Sequence, residues 1–261
     1  MYIDTHTHLT DRRYEDADAI IRGLKGEGIS YIIGVGYDLP SSQMTAELAD
    51  THQNFYGAVG VHPHDAGGWQ SGMAQTLEAM SKSQKIVAIG EIGLDYHYPP
   101  FDKQKQADAF MQQLELAHSL KLPVIIHLRD AAGDLNALLK QNSRLLSYGG
   151  VMHCYSQSAE LVPFYQDLGL YISFAGPVTF ANARGLLDAV RAVPLSGILT
   201  ETDCPYLTPE PHRGKLNYPA YVRHVAQKVA DLKGVSAEEL CENVRKNAAR
   251  LFTRIAKAHS L

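Results

Sequence analysis

The sequence predicts an α/β fold, a (β/α)8 TIM barrel with an extra C-terminal helix. Three observations carry this reading. Strand-like and helix-like segments alternate along all 261 residues. The strand-like runs are short, β-branched and almost continuously apolar, as expected where both faces of a parallel sheet are covered. Eight strand–helix pairs in this length give roughly 33 residues each, close to one βα repeat. An open doubly wound sheet is the alternative, but no GxGxxG follows the first strand.

Taken in order, the first predicted strand is Tyr2–Leu9, followed by an amphipathic helix over Asp16–Glu27 that ends at Gly28. Ser30–Gly36 (SYIIGVG) is a buried run and leads to a helix over Ser41–Thr51. Phe55–Val61 precedes a helix over Met73–Ser81, and Ile86–Leu94 (IVAIGEIGL) precedes a long helix over Lys103–Lys121. Pro123–Leu128 pairs with a helix over Asp134–Gln141, Gly150–Cys154 with Ala159–Leu168, and Tyr171–Phe174 with Ala183–Val193. Gly197–Thr202 (GILTET) is the eighth strand, with helices over Tyr218–Lys233 and Ala237–Phe252 after it. The last of these starts at a capping box, Ser236 with Glu239, and is expected to pack on the barrel. No linker or low-complexity stretch interrupts the chain, so residues 1–261 are expected to be one domain.

Composition narrows the function class. Apolar residues make up 45% and charged residues 20%, which excludes a disordered, collagen-like or coiled-coil chain. The three cysteines (Cys154, Cys204, Cys241) are odd in number and form no CxxC pair, which fits a reducing compartment. No apolar leader core or spanning run of roughly 18 residues is present, so a cytoplasmic protein without a membrane partner is expected. The net charge of −4 speaks against a broad basic surface for nucleic acid, but leaves room for a local phosphate site. The 12 histidines beside a single tryptophan stand out, because histidine is the commonest metal ligand.

Their placement is informative. His6 and His8 end the first predicted strand (DTHTH), Glu91 lies late in the fourth, His127 ends the fifth, His153 the sixth and Asp203 the eighth. All therefore lie at the C-terminal strand ends, the rim on which barrel active sites are built. Residues i and i+2 of a strand share a face, so His6 and His8 can bind one ion together. A lone HxH is ordinarily a surface or packing feature. Glu91 inside an apolar run is more telling, because an unpaired buried carboxylate costs several kcal/mol. Four histidines and two carboxylates exceed what one four-coordinate ion needs, which points to a pair of divalent ions about 3.5–4 Å apart. Glu91 on a middle strand is the natural bridge. Alternation turns Cys154 and Cys204 away from the lumen, as packing residues.

The motifs DTHTH, GVHPH, GEIGLDY, HLRDA, MHCYS, ETDCPYL and PHRGKLNYP, running in order from Tyr2 to about Phe252, resemble the TatD family of metal-dependent deoxyribonucleases in the metallo-dependent hydrolase superfamily. The resemblance implies a (β/α)8 barrel, two divalent ions and hydrolysis of DNA phosphodiesters, often as a 3′–5′ exonuclease. It implies His6, His8, Glu91 and Asp203 as ligands of one ion, with Glu91 reaching the second, and His127 and His153 completing that second site. Zinc, manganese and magnesium all suit this mixture of imidazole and carboxylate. Asp203 is the expected general base toward a water whose pKa falls to about 7 beside such ions, and Glu91 joins it as essential to catalysis.

The remaining motif residues divide between substrate contact and loop order. His62 and His64 could donate to a phosphate oxygen, and His62 could equally order its loop. Asp95 and Tyr96 could fix the loop after the fourth strand. Arg129 could hold a phosphate in a bidentate way or pair with Asp130. Arg213 and Lys215, in the HRGK segment after the eighth strand, are further phosphate candidates, with His212 beside them. His52, His97, His118, His224 and His259 have no converging partner and read as solvent or packing residues. The expected substrate is DNA, at short single-stranded ends, with no obligate protein partner. The competing readings are a lactonase, amidase or aminoacyl esterase with the same metals, and a non-catalytic metal-binding scaffold.

Overall fold

In the computed structural model, which describes residues 1–70 and 72–259, the described residues form one eight-stranded parallel sheet that follows sequence order. The strands are β1 (Tyr2–Thr7), β2 (Ile29–Val35), β3 (Phe55–Val59), β4 (Ile86–Asp95), β5 (Val124–Arg129), β6 (Gly150–Met152), β7 (Leu170–Phe174) and β8 (Ile198–Thr200). A bridge between Thr7 and Cys204 brings the two edges together. There His8 N donates to the Cys204 carbonyl at 2.7 Å and Asp203 N to the His6 carbonyl at 3.0 Å. Behind them the buried Asp4 carboxylate accepts from Thr202 N at 3.0 Å and from the Thr202 hydroxyl. The seam that closes the barrel thus also sets His6, His8 and Asp203 side by side.

The helices between the strands are α1 (Ala17–Gly23), α2 (Leu39–Thr51), α3 (Met73–Met80), α4 (Lys103–Leu120), α5 (Ala132–Gln141), α6 (Val162–Asp167), α7 (Arg184–Ala192) and α8 (Val222–Lys233). They cover the outer faces of the strands, and all ten positions of β4 are buried. This double burial is what the continuous apolar runs encoded. Several helices start on side-chain caps: Asp16, Asp38 and Asp102 each accept a backbone N–H three residues on. The sixth helix is shorter than its periodicity suggests, because Ala159–Leu161 form a tighter turn ahead of Pro163. The eighth starts four residues later than predicted, after a turn at Pro219–Tyr221.

The tail holds two helices. The first, α9 (Ala237–Leu251), opens on the predicted Ser236, whose Oγ accepts from Glu239 N at 3.1 Å, the serine half of the expected capping box. A further helix, α10 (Thr253–His259), was not legible in the sequence. Both lie across the N-terminal strand ends. Asn247 donates to the carbonyls of Leu195 and Ile198, where β8 begins, and Arg254 to those of Ser81 and Ser83, in the turn that leads into β4. The tail therefore seals the floor of the barrel and leaves the opposite rim open. Among the described residues no helix is long and apolar enough to cross a membrane.

Two irregularities matter for that rim. The β1–β2 register shifts between Asp4 and Thr7, and the β4–β5 register shifts between Ile89 and Ile92. His6 and Glu91 lie inside these two shifts. Such irregularities re-aim a side chain that a regular strand would hold elsewhere. Left-handed backbone also gathers there, with φ of 53° at Asp130, 44° at Cys154 and 58° at Asp203. Non-glycine residues hold this conformation at a cost, and functional sites are where such cost collects.

Candidate metal centre

Six residues from five strands converge above the barrel core; Glu91 lies mid-strand, because β4 runs on to Asp95. The Nε2 atoms of His6 and His8 lie 3.1 Å apart. Glu91 Oε2 sits 3.4 Å from His6 Nε2 and 3.5 Å from His8 Nε2, and Asp203 Oδ1 sits 3.3 Å from His8 Nε2. The other oxygen of the same carboxylate faces another pair: Glu91 Oε1 is 2.7 Å from His127 Nδ1 and 3.3 Å from His153 Nε2. Four atoms held about 2.0–2.1 Å from one tetrahedral ion would stand about 3.4 Å apart. The spacings around Glu91 Oε2 and the 3.3 Å to His153 are close to that value, whereas His127 stands at hydrogen-bond distance from Glu91 Oε1.

The tautomers match it as well. A carbonyl can only accept, so His8 Nδ1, 2.8 Å from the Val35 carbonyl, carries the proton and leaves the Nε2 lone pair facing the cluster. His153 Nδ1 is 2.9 Å from Glu201 Oε1, and His127 Nε2 is 3.0 Å from Asp95 Oδ2, so each has an outer carboxylate on one nitrogen and turns the other nitrogen toward Glu91. An outer carboxylate or carbonyl behind an imidazole is the usual support of a metal-ligating histidine. His6 Nδ1 is buried without a partner. The donor set thus fits divalent cations, and these groups could hold them.

Charge in the cluster is set by competition between burial and neighbours. Burial alone would raise Glu91, but the charge of His153 and the bonds from His127 and His153 outweigh it and hold the carboxyl well below its usual range. Burial likewise opposes ionisation of Asp203, and the bond to His8 with the nearby imidazoles reverses this. His62 goes the other way: burial, then His127, push it well below the usual imidazole range, so it is neutral. His62 Nδ1 accepts from His64 N at 3.1 Å, which leaves the proton on Nε2, 3.7 Å from Glu91 Oε1.

A cavity of about 340 Å³ opens over Glu91, and His62, His64 and Arg129 line it with Asp95, Tyr98 and Tyr206. His64 Nε2 is 3.1 Å from Asp95 Oδ2, the oxygen that also holds His127. Arg129 does not pair with Asp130; that carboxylate is taken by His97 at 2.6 Å, and the guanidinium lies over the Tyr98 ring. Arg213 and Lys215 are exposed and are not among the lining residues; Arg213 lies over the Phe180 ring. Tyr96 stacks on Phe101 and bonds Asp134, outside the cavity. His52, His118 and His224 also lie away from it, beside Asp18, Ser147 and His212, whereas the side chain of His259 is outside the described residues.

Two positions depart from the sequence expectation. Cys204 is fully buried as expected, but Cys154 lines the rim of the site instead of packing outward. β6 ends at Met152 and the backbone turns left-handed at Cys154, so strand alternation no longer governs it. The second is Glu201, which sequence reasoning passed over. It is buried, and it stands two residues before Asp203 in TETD. That i, i+2 spacing of carboxylates at a strand end was the available signal.

The family profile described as TatD related DNase matches residues 3–253. An uncharacterized metal-dependent hydrolase, YabD of Bacillus subtilis, is 40% identical over 97% of this chain and 99% of its own. A 3′–5′ ssDNA/RNA exonuclease TatD of Klebsiella pneumoniae is 33% identical over 95% of this chain and 97% of its own. Among solved structures, the TatD homologue YjjV of Escherichia coli superposes with a TM-score of 0.90 at 28% identity, covering 97% of this chain and 98% of that one. Fold, metal-competent cluster and relatives agree: the chain belongs to the TatD related DNase family of metal-dependent hydrolases.

Proposed function

We propose that this hydrolase cleaves phosphodiester bonds of DNA, removing nucleotides from single-stranded 3′ ends, with residues 1–261 acting as one domain. The observation that carries the catalytic reading is the split of Glu91, whose two oxygens face two separate sets of imidazoles. His6, His8, Glu91 and Asp203 would hold one divalent cation, and Glu91, His127 and His153 a second, of zinc, manganese or magnesium. Such cations supply charge neutralisation and acidify water at near-neutral pH.

The chain's own groups do the rest. Asp203, ionised and rigidly held, accepts the proton of the attacking water. Neutral His62 donates through Nε2–H to a phosphate oxygen, and His64, anchored on Asp95, lies beside it. Arg129 faces the cavity without a carboxylate partner and is free to hold phosphate. Arg213 and Lys215, on the exposed loop beyond β8, would meet the strand farther out. The relatives named as exonucleases on single strands support this substrate over a lactone, an amide or an aminoacyl ester. The free cysteines support action in the reducing cytoplasm.

The test is a nuclease assay of metal-stripped protein reloaded with manganese, zinc or magnesium. A 5′-labelled single strand should shorten stepwise, and a 3′-labelled one should release labelled mononucleotide first. Turnover of lactones or amides without nucleotide release would overturn the reading.

A further inference from the structure

The cavity over Glu91 continues into a second lobe of about 450 Å³. The two spaces share Tyr98, His127, Arg129, His153, Asp203 and Tyr206. Beyond this shared floor the lobe is walled by Leu128, Cys154, Ser156, Pro177 and Leu207, none of them charged. Arg129 is the one lysine or arginine that lines either space among the described residues.

Three large side chains stand open around this concavity: Tyr98 is 59% exposed, Tyr206 44% and Leu207 38%. Exposed apolar groups gathered in a cleft beside polar groups are the usual signature of a ligand site. Tyr206 is also fixed in place: its hydroxyl bonds Asp11 at 3.3 Å and its ring lies under the Arg13 guanidinium at 4.2 Å. A wall held this way loses little freedom when a ligand arrives. The lobe therefore suits a flat apolar ring attached to an anion that reaches the floor. A neutral lactone or amide offers Arg129 no anion to pair with.

We propose that this lobe is a nucleobase subsite. It takes the base of the nucleotide adjoining the scissile bond against Tyr98, Tyr206 and Leu207, while Arg129 binds the neighbouring phosphate of the strand. The proposal rests on the phosphodiesterase reading above. It commits the enzyme to nucleotides rather than to phosphodiesters in general. It also predicts tolerance of base identity, because every base offers a π-face and the walls offer few hydrogen-bonding groups.

The experiment uses the full chain loaded with manganese and a thymidine hexamer in which one abasic nucleotide is stepped through the last three positions. The abasic sugar keeps the charge and removes only the base. An abasic residue at one position is expected to raise KM about 5- to 100-fold. Tyr98→Ala, and independently Ser156→Trp, which fills the lobe from an exposed position, should bring that ratio close to one. Binding of phosphorothioate-linked versions, read by fluorescence anisotropy, should show the same preference without turnover. Hydrolysis with equal KM at every position would overturn the subsite and leave the phosphodiesterase reading standing. Base-dependent binding with no hydrolysis would support the subsite and refute the nuclease. Neither hydrolysis nor base-dependent binding would refute both.

Discussion

Glu201 Oε1 accepts from His153 Nδ1 at 2.9 Å and from the Cys154 backbone nitrogen at 2.6 Å, in a position only 1% exposed. One buried carboxylate oxygen therefore sets the tautomer of His153 and pins the left-handed turn behind it. Glu201→Ala would leave a buried imidazole N–H and a part-buried backbone N–H without an acceptor and free the imidazole to rotate. Metal affinity and activity are expected to fall about 10- to 100-fold. Glu201→Gln keeps an acceptor oxygen and should recover most of the loss. Calorimetric titration of manganese into both variants checks this; wild-type affinity in the alanine variant would show that His153 needs no such support.

Metal removal should act on stability as well as on activity. Glu91 gathers imidazoles around a carboxylate that is 4% exposed, and cations in their midst would neutralise the buried Glu91 and Asp203 carboxylates and engage the inward-facing imidazole nitrogens. At about 100 times its dissociation constant, a cation that binds only the folded chain adds about 2.7 kcal/mol. For a protein of this size that raises the melting temperature by roughly 5–10 °C. Glu91→Ala should abolish turnover and shrink the thermal shift, because His6, His8 and Asp203 would still form a ligand group, while keeping the barrel's far-ultraviolet circular dichroism. A variant that stays active, or that shifts with metal as much as wild type, would remove Glu91 from the bridge.

Much of the architecture was legible because burial on both faces writes strands as unbroken apolar runs, and because rim residues close their strands. Where the sequence was silent, the cause is local and physical. The register shifts at His6 and Glu91 have no residue signature of their own, although they aim the two side chains at each other. Cys154 defied alternation because its strand had already ended. Arg129 and Asp130 are neighbours in sequence, yet a left-handed residue between strand and helix sends Asp130 to His97 and leaves Arg129 facing the cavity. Glu201 was hidden by lying beside a more conspicuous carboxylate.

Gly93 in the GEIGLD segment has φ 153°, and a Cβ built on it would lie 1.9 Å from the His127 carbonyl oxygen. Backbone on the next strand cannot give way as a flexible side chain can. Gly93→Ala should cost at least about 3 kcal/mol and displace His127 with it. Gly133→Ala provides the contrast, because nothing lies within 4 Å of its Cβ and its backbone is already helical. There the change should stabilise by up to about 1 kcal/mol. Urea unfolding of both variants gives the two signs; equal effects would mean that the close approach to β5 is easily relaxed.

Lys85 precedes β4, far from the metal centre, with its ammonium over the Tyr56 ring and 2.8 Å from the Gln53 carbonyl. Burial lowers its pKa to about 8 from the usual 10.5. Between those values the unfolded chain binds more protons than the folded one, so this group's contribution to stability rises with pH. The charged form is disfavoured in the fold below pH 8, and the penalty fades as pH climbs to 10.5. Because the side chain is only half-buried, solvent screening reduces the effect to on the order of 1 kcal/mol. Lys85→Met keeps the stem over Tyr56 and removes the titration. Wild type should therefore gain on this variant by about that amount between pH 7.5 and 10. Urea denaturation at several pH values measures the gap, and a gap that stays constant would mean that the ammonium keeps its water in the fold.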